Sequence, residues 1–243
     1  MQLEGRLALV TGAARRVGRA IAVRLAESGC RVALHYHRSE ADARSAVDAC
    51  QAVGPEAEAF EADLADRAAA EQLVRRALDR FGRLDILVNN ASVFSPMTID
   101  AFDADEWERT LRVNLTAPMI LTHAARGALR EARGRVVNIC DAATAHPWAS
   151  HLAYMASKGA LETLTRALAR ALAPDVNVTG VAPGIVAWPA EYDEPTRDRL
   201  TAQVPLRRAG SPEDVAGAVH FLLREGDYVT GSILAVDGGR NLR

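Results

Sequence analysis

The chain contains 243 residues, of which 49% are hydrophobic and 25% are charged, and its formal net charge at pH 7 is −2. This balance is typical of a globular protein with one large core, and the near-neutral charge argues against a nucleic-acid or acidic-membrane surface. No apolar run approaches the roughly 20 residues of a membrane-spanning helix, and the N-terminus has no signal-peptide layout. The three cysteines, Cys30, Cys50 and Cys140, form no close pair and no metal-binding spacing, as is typical of buried thiols in a reducing compartment. The sequence therefore predicts a soluble, cytoplasmic protein without a metal site.

Short apolar runs alternate with helical patterns along the N-terminal half. Strands are predicted over residues 6–12, 30–37, 57–64 and 84–91, and helices over residues 16–28, 39–53 and 66–80. Strands that alternate with helices of this length predict a parallel sheet built from right-handed βαβ units.

The alternation continues in the C-terminal half. The pattern predicts a long helix over residues 107–132 with a candidate bend at Pro118, a strand over 135–140, a helix over 151–172, and strands over 176–183 and 232–239. The charged, weakly periodic stretch of about residues 186–210 is typical of a loop with a short helix that covers a substrate site. We therefore predict one doubly wound (Rossmann) α/β domain over residues 1–243, with a parallel seven-stranded sheet and helices on both faces.

A glycine-containing turn joins the first strand to the first helix, with the sequence TGAARRVG over residues 11–18. Gly12 allows a sharp turn, Gly18 allows the helix to pack closely on the sheet, and the exposed N–H groups can hold a pyrophosphate. Arg16 stands where a third glycine would be expected, and it adds a positive charge near the phosphates. A solvated surface arginine is the simpler interpretation of Arg16. The turn predicts dinucleotide binding.

The end of the second strand indicates which dinucleotide is bound. NAD sites usually place an acidic residue there, roughly 20 residues past the loop. This chain instead has His37, Arg38 and Ser39, a set that suits a 2′-phosphate, so we expect NADPH to be preferred over NADH. Asp63, at the end of the third strand, is a candidate to hold the adenine edge, or is an ordinary strand-end turn.

A tyrosine and a lysine, Tyr154 and Lys158, lie four positions apart, and Asp141 lies thirteen residues before the tyrosine. On a helix the pair would share one face, one turn apart. A nearby ammonium favours the ionised phenol, so we expect the pKa of Tyr154 to fall below its ordinary value of about 10. Such a phenol can exchange a proton near neutral pH. A core-edge tyrosine beside a solvated lysine would show the same spacing.

Further motifs appear in a fixed order along the chain. They are Asp63-Leu64, Asn89-Asn90-Ala91-Ser92, Asn114, Pro183-Gly184 and Asp237-Gly238-Gly239. With the glycine turn and the Tyr154–Lys158 pair, they resemble the short-chain dehydrogenase/reductase family over essentially the whole chain. Within that family the chain most resembles the pteridine reductases and the bacterial dihydromonapterin/dihydrofolate reductases. The departures that carry this resemblance are Arg16, the strand end HYHRS, NNASVF in place of NNAG, and Asp141 in place of the usual serine.

The resemblance implies a sheet order of 3-2-1-4-5-6-7 and a set of binding residues. The implied cofactor-binding residues are Thr11, Gly12, Arg16, Val17, Gly18, His37, Arg38, Ser39, Asp63, Leu64, Asn90, Ala91, Ser92, Tyr154, Lys158, Pro183, Gly184 and Val186. The implied substrate-binding residues are Arg16, Ser92, Phe94, Asp141, Tyr154 and Trp188. Trp148 is a further candidate for the pocket wall.

The resemblance also implies a mechanism with four catalytic residues. Lys158 would bind the nicotinamide ribose and depress the pKa of Tyr154, which would supply a proton as NADPH delivers hydride. Asn114 would kink its helix and hold a water in the proton relay. Asp141 would pair with Tyr154, and a carboxyl there suits a nitrogen-rich ring because it can exchange protons with ring nitrogens. Phe94 would stack on a flat heterocycle. Simpler interpretations are a strand-end cap for Asp141 and a core position for Phe94.

The resulting hypothesis is an NADPH-dependent reductase of a pterin-type C=N bond, with dihydromonapterin, dihydrobiopterin or dihydrofolate as substrate. The resemblance implies a homotetramer, in which residues 240–243 could reach a neighbour's site. A carbonyl reductase such as a 3-oxoacyl reductase is the alternative within the same fold. A dinucleotide-sensing protein without chemistry is the alternative from another class.

Overall fold

The computed structural model describes residues 1–188 and 192–242. The strands are β1 (Leu7–Val10), β2 (Arg31–Tyr36), β3 (Ala57–Glu61), β4 (Ile86–Asn89), β5 (Arg135–Ile139), β6 (Asn177–Pro183) and β7 (Ile233–Val236). The helices are α1 (Arg16–Glu27), α2 (Glu40–Gln51), α3 (Arg67–Phe81), α4 (Ala104–Leu111), α5 (Ala117–Ala132), α6 (Leu152–Leu172), α7 (Glu194–Thr201) and α8 (Pro212–Arg224). Most bounds fall within a few residues of the predicted ones.

All seven strands pair in parallel in the order β3-β2-β1-β4-β5-β6-β7, which confirms the predicted sheet. The chain order reverses between β1 and β4, where Val10 is in register with Val88. In an open parallel sheet, ligands bind in the crevice outside the carboxyl ends of the strands at this reversal. A binding site is therefore expected at the segments that follow β1 and β4.

Helices cover both faces of the sheet, so β1, β4 and β5 are buried at every position. One core layer lies between the sheet and the helices α1, α2 and α8, and includes Ile21 and Val219. The other lies under α3, α5 and α6, and includes Leu73 and Leu121. The three cysteines are buried and free. At about 25 cal/mol per Å² of buried apolar area, these two layers supply the main force that holds the fold together.

The long helix predicted over residues 107–132 is divided in the structure. It begins earlier, at α4, because the Asp103 side chain caps the first turn by accepting from the backbone N–H groups of Asp105 and Glu106. A π-helical segment, Arg112–Thr116, then separates α4 from α5. Pro118 lies two residues after the end of this segment and has no N–H to donate to the preceding turn, which favours the wider winding. The irregularity therefore includes Asn114 and precedes the proline.

The predicted substrate loop of about residues 186–210 contains α7, whose start is capped by Asp193 through the backbone N–H of Thr196. The end of the loop returns to the sheet, because Gly210 N–H donates to the carbonyl of Ile185 at 2.8 Å. Residues 189–191 lie outside the described residues. The loop's role in substrate binding stays a prediction. None of the described helices combines the length and apolar character needed to cross a bilayer.

Candidate active site

Two glycines of the turn after β1 are fixed by close contacts. Gly12 has φ +62°, and a Cβ there would lie 2.9 Å from Ala91 Cα. A Cβ on Gly18 would lie 2.2 Å from the carbonyl oxygen of Gly12. Neither position tolerates a side chain without movement of backbone. The turn and the first helical residues of α1 therefore pack directly on the segment after β4.

Arg16 occupies an unusual conformation in this turn. Its φ of +49° lies in the left-handed region that favours glycine, which costs a residue with a Cβ on the order of 1 kcal/mol. The side chain is exposed and lines both the cleft beside α1 and the cavity beyond it. The motif predicts a glycine at this position. The chain keeps a backbone conformation that favours glycine and places a guanidinium between two cavities.

Polar side chains beneath the turn hold the ends of β1 and β4 together. The hydroxyl of Thr11 accepts from the backbone N–H groups of Asn90 (2.9 Å) and Ala91 (3.0 Å). The Asn90 amide donates to the carbonyls of Thr11 (2.8 Å) and Gly12 (3.1 Å). Thr11 is buried, so it supports the turn from below, whereas Asn90 and Ala91 also line the cleft.

A buried histidine, His35, also supports the turn, although no motif in the sequence predicts this role. Its Nδ1 accepts from Gly12 N–H at 3.1 Å, and its Nε2 lies 3.0 Å from the carbonyl oxygen of Ala62. These partners are satisfied by a neutral ring that carries its proton on Nε2. Burial lowers the pKa of His35 to about 4. The imidazole is therefore a neutral bridge from the turn to the end of β3.

Of the three residues predicted to bind a 2′-phosphate, only His37 lines the cleft. Its Nε2 lies 3.7 Å from Asp63 Oδ2. Arg38 is exposed and does not line the cleft, and Ser39 lies at the start of α2. A guanidinium comes instead from Arg15, which lines the cleft and is oriented by an ion pair with Asp42.

The cleft has a volume of about 530 Å³ and runs along the carboxyl ends of the central strands. Its lining includes the predicted residues Gly12, Arg16, Val17, Gly18, His37, Asp63, Leu64, Asn90, Ala91, Ser92 and Tyr154. The tight glycines, the start of α1 and the cationic side chains fit the pyrophosphate and phosphate groups of a dinucleotide.

Other predicted cofactor residues lie outside this lining. Pro183 and Lys158 are buried, Val186 packs against the core, and Gly184 lines the neighbouring cavity.

The hydroxyl of Tyr154 and a carboxylate meet at the inner end of the cleft. Tyr154 Oη donates to Asp141 Oδ2 at 2.6 Å, and Ala143 N–H donates to Asp141 Oδ1 at 2.7 Å. The second bond caps a 3₁₀ turn, Ala142–Ala145. Asp141 therefore both caps this turn and pairs with the tyrosine. Its catalytic role stays a prediction.

Lys158 lies on the same face of α6 as Tyr154, as the spacing predicts. It is 2% exposed, and its Nζ donates to the carbonyl oxygen of Ile139 at 2.7 Å. The ammonium is 5.7 Å from the centroid of the Tyr154 ring. Burial lowers the pKa of Lys158. The bond to Ile139 fixes the lysine at the end of β5.

The expectation that Lys158 lowers the pKa of Tyr154 is wrong for this arrangement. Burial raises the pKa of Tyr154 well above its ordinary value, and the charge and hydrogen bond of Asp141 add to the rise. Burial also raises the pKa of Asp141, although its bonds from Tyr154 and Ala143 oppose that shift. The tyrosine therefore keeps its proton and directs it at the carboxylate.

Asn114 links the π-helical segment to the segment after β4. Its Oδ1 accepts from Val93 N–H at 2.8 Å, and its Nδ2 donates to the Val93 carbonyl at 2.9 Å and to Ser157 Oγ at 3.0 Å. The predicted irregularity of the helix at Asn114 is present. Its predicted role in holding a water stays a prediction.

A second cavity of about 690 Å³ adjoins the cleft. Arg16, Phe94, Tyr154 and Ala187 line both spaces, so the tyrosine faces each of them. Asp141 and Trp188, which were predicted to bind substrate, line the second cavity. Ser92, also predicted to bind substrate, lines only the cleft.

The wall of the second cavity is aromatic. Phe94 is 44% exposed and is therefore not a core residue. Its ring stacks on His151, with centroids 4.3 Å apart and planes 14° apart, and meets the Tyr154 ring edge-on at 4.7 Å. The ring centroid of Trp148 lies 6.1 Å from that of Phe94. The sequence indicated Trp148 and Phe94, but nothing in it indicated His151.

The C-terminal segment reaches the second cavity of its own chain. Arg240 lines this cavity, and its guanidinium lies 5.8 Å from the centroid of the Trp148 ring. The expectation that residues 240–243 reach a neighbour's site in a tetramer stays a prediction. Arg243 lies outside the described residues. Within the described ranges, no three His, Cys, Asp or Glu side chains are placed to hold a metal ion.

Comparison with known proteins agrees with this geometry. Residues 12–241 match the family model described as enoyl-(acyl carrier protein) reductase. The chain is 37% identical to a putative ketoacyl reductase of the granaticin polyketide synthase of Streptomyces violaceoruber, covering 98% of this chain and 97% of that protein. It is 34% identical to a 3-oxoacyl-[acyl-carrier-protein] reductase of a Synechocystis strain, covering 98% and 97%.

Two solved structures share the whole fold. A blue fluorescent protein from a metagenomic library, solved in complex with NADPH, has a TM-score of 0.92 and 37% identity over 99% of both chains. A short-chain dehydrogenase/reductase from Serratia marcescens has a TM-score of 0.93 and 35% identity over 99% of this chain and 100% of that one. The sheet order, the glycine turn, the Tyr154–Lys158 face and these matches together show that the chain belongs to the short-chain dehydrogenase/reductase family of oxidoreductases.

Proposed function

We propose that the protein is an NADPH-dependent reductase of a C=N bond in a dihydropterin or dihydrofolate type of substrate. The observation that carries this proposal is the 2.6 Å hydrogen bond from Tyr154 Oη to Asp141 Oδ2. A carboxyl group at this place has a protonated and an ionised form, and it can therefore exchange a proton with a ring nitrogen. A serine hydroxyl lacks this second charge state and suits a carbonyl oxygen.

The chain's own residues would supply the proton and fix its direction. Tyr154 Oη would donate to the nitrogen of the C=N bond, and Asp141 would re-protonate the tyrosine or donate directly. The raised pKa of Asp141 favours its protonated form at a higher pH than for an exposed aspartate. Lys158, held by Ile139, would orient the cofactor ribose. When bound, NADPH supplies the hydride that the carbon of the C=N bond accepts.

The aromatic lining of the second cavity supports binding of a flat ring. Phe94 presents a ring that is half exposed at the junction of the cleft and the cavity. Its position beside Tyr154 would place a heterocycle between the phenyl ring and the nicotinamide end of the cleft. Trp148 and Trp188 widen this aromatic wall.

Carbonyl reduction, as by a 3-oxoacyl reductase, is the second candidate, and the named relatives favour it over pterin reduction. The two ketoacyl-type relatives are 34% and 37% identical over nearly the whole chain. Tyr154 can donate to a carbonyl oxygen as readily as to a nitrogen. The ionised form of Asp141, however, would repel the negative charge that develops on that oxygen, so carbonyl reduction would require the protonated form.

A dinucleotide sensor without chemistry is the third candidate. The intact set of Asn114, Tyr154 and Lys158 speaks against it, because a sensor has no need of a buried lysine beside a proton-bearing phenol. A Tyr154→Phe variant that keeps every assayed activity would favour the sensor.

The preference for NADPH over NADH is supported by a guanidinium and an imidazole at the ribose end of the cleft. Arg15 and His37 line this end, and the neighbour with 37% identity holds NADPH. Comparison of kcat/KM for NADPH and NADH, with an Arg15→Ala variant as the matched change, tests the preference.

We also propose a homotetramer, as family membership implies. Exposed apolar side chains support association: Phe102 before α4, Met119 on α5, Phe221 on α8 and Leu234 on β7 are all at least 37% exposed. Sedimentation analysis of the purified chain tests the assembly.

The experiment that tests the proposed function is NADPH oxidation with a panel of substrates. The panel contains dihydrobiopterin, dihydromonapterin, dihydrofolate, a 3-oxoacyl thioester, a quinone and small ketones. Turnover of the dihydropterins with the highest kcat/KM supports the proposal. Ketone or thioester reduction without pterin or folate turnover would transfer the assignment to the second candidate.

A further inference from the structure

We propose that Arg240 and Trp148 form a subsite for an anionic group, a carboxylate or a phosphate, on the part of the substrate that lies away from the reacting bond. The inference rests on the proposed reductase function because it concerns the same cavity. It adds a requirement on the substrate that the catalytic residues do not impose. The subsite is defined here by these two residues alone.

The Arg240 backbone is fixed by the turn that follows β7. The Asp237 carboxylate accepts from the N–H groups of Gly239 and Asn241, each at 2.9 Å. Gly238 and Gly239 adopt φ values of +63° and +85°, which allow the chain to reverse. Arg240 then begins a 3₁₀ turn, and its N–H donates to the carbonyl of Asp237. A guanidinium on such a turn is available for binding at a lower ordering cost than one on a free tail.

The Arg240 side chain leaves its hydrogen-bonding edge available. Its guanidinium lies over the Trp148 ring, with 5.8 Å to the ring centroid, and stacking of this kind uses the face of the guanidinium and not its N–H groups. Among residues 1–188 and 192–242, no carboxylate lies within ion-pair distance of it and no acceptor takes a hydrogen bond from it. Five N–H donors in a fork match a carboxylate or phosphate.

The position of the subsite follows from the order of ring contacts. The ring centroids of Tyr154 and Phe94 are 4.7 Å apart, and those of Phe94 and Trp148 are 6.1 Å apart. The Arg240 guanidinium lies over the Trp148 ring. A ligand whose reacting bond lies at Tyr154 and whose ring lies on Phe94 would extend toward Arg240. The cavity then has the Asp141 carboxylate beside Tyr154 and the Arg240 guanidinium beside Trp148, with Arg16 at the cleft side. The charge of Arg240 also acts on Asp141 and opposes the rise of its pKa.

Two kinds of substrate carry an anion at such a distance from the reacting bond. A folate-type substrate ends in glutamate carboxylates, and a thioester on a phosphopantetheine arm carries a phosphate. Both satisfy the chemistry of the subsite, whereas a dihydropterin with a neutral side chain does not. The subsite therefore predicts preference within a substrate class, and the class itself is decided by the residues around Tyr154.

The test measures binding to the NADP⁺-loaded enzyme by calorimetry with two matched ligand pairs. The first pair is folate, whose p-aminobenzoylglutamate tail carries two carboxylates, and biopterin, whose dihydroxypropyl side chain is neutral. The second is acetoacetyl-phosphopantetheine and acetoacetyl-pantetheine, which differ only in the phosphate. Arg240→Gln removes the charge, Arg240→Lys keeps it without the fork, and Arg224→Gln on α8 serves as the surface control.

Loss of a charged hydrogen bond predicts a Kd for the anionic ligand that rises about tenfold or more in Arg240→Gln. The neutral member of the same pair should change less than about twofold, and Arg240→Lys should recover part of the loss. Weaker binding of folate alone would identify the anion as a carboxylate, and weaker binding of acetoacetyl-phosphopantetheine alone would identify it as a phosphate. Equal weakening of both members, or no effect in either pair, would overturn the inference.

The failure of this inference is distinguishable from failure of the proposed function. If the wild type turns over neutral dihydrobiopterin and Arg240→Gln leaves folate binding unchanged, the function stands and the subsite is wrong. If the wild type binds neither pterin, the function fails, and the thioester pair still tests Arg240. Binding of none of the four ligands would count against both. Equal melting temperatures of the variants confirm that the fold is kept.

Discussion

The cleft that we propose for the cofactor and the cavity that we propose for the substrate share Tyr154 but are built in different ways. The cleft is shaped by backbone: Gly12 and Gly18 have no room for a Cβ, and the buried side chains of Thr11 and His35 hold the turn from below. The cavity is shaped by exchangeable side chains, with Asp141, Phe94, Trp148 and Arg240 on its walls. From this difference we infer that the cleft binds the cofactor shared by the family, whereas the cavity determines which substrate is accepted.

The largest expected effect lies at the residue that both regions share. Tyr154→Phe removes the proton donor, and loss of general acid catalysis typically costs about 10² to 10⁴ in rate. We expect kcat to fall by about 10³ while the Kd for NADPH stays within about threefold. Single-turnover rates and cofactor titration measure the two quantities. Retention of most of kcat would place the donor elsewhere in the cavity.

A methyl group in the glycine turn should damage the cleft and leave the cavity intact. In Gly18→Ala, the new Cβ meets the Gly12 carbonyl oxygen at 2.2 Å, so the turn must shift. Overpacking of about 3 kcal/mol corresponds to a Kd for NADPH that is about a hundredfold higher. Gly217→Ala, where nothing lies within 4 Å, is the matched control and should stabilise α8 by up to about 1 kcal/mol. Similar NADPH affinity in both variants would contradict the close packing.

The buried imidazole in the cleft should make stability depend on pH. The pKa of His35 falls from 6.5 to about 4 on folding, so between these values the unfolded chain binds the proton and the folded chain does not. His35 therefore stabilises the fold above pH 6.5, and about 3 kcal/mol of this is lost as the pH falls to about 4. Urea unfolding of the wild type and of His35→Gln across this range measures the effect. Parallel pH dependences of the two proteins would show that His35 titrates freely.

A change in the aromatic wall should affect substrate and spare the cofactor. Phe94→Leu keeps an apolar side chain but removes the stacking ring, a contact worth about 0.5–1.5 kcal/mol. We expect KM for the preferred substrate to rise about two- to tenfold with little change in the Kd for NADPH. A change in NADPH affinity of the same size would mean that the Phe94 ring contacts the cofactor as well as the substrate.

The sequence predicts the cleft better than the cavity because the cleft's determinants are local. The turn needs residues at fixed offsets after a strand, so Gly12 and Gly18 identify it in one short stretch. The partner of His35 lies twenty-three residues away, and no periodicity connects them. The pKa of Tyr154 was mispredicted for the same reason, since its direction depends on how deeply the pair is buried. His151 joins the site only because α6 begins beside Phe94.

We propose that Asp141 makes this oxidoreductase select a nitrogen heterocycle. The most direct test compares kcat/KM for a dihydropterin and for a 3-oxoacyl thioester in the wild type and in Asp141→Ser, with Tm as the check on folding. We predict that Asp141→Ser lowers pterin kcat/KM by about a hundredfold or more, as expected for a lost proton exchange, and leaves thioester reduction equal or faster. Undiminished pterin reduction in Asp141→Ser, or a wild type that reduces only the thioester, would contradict the account.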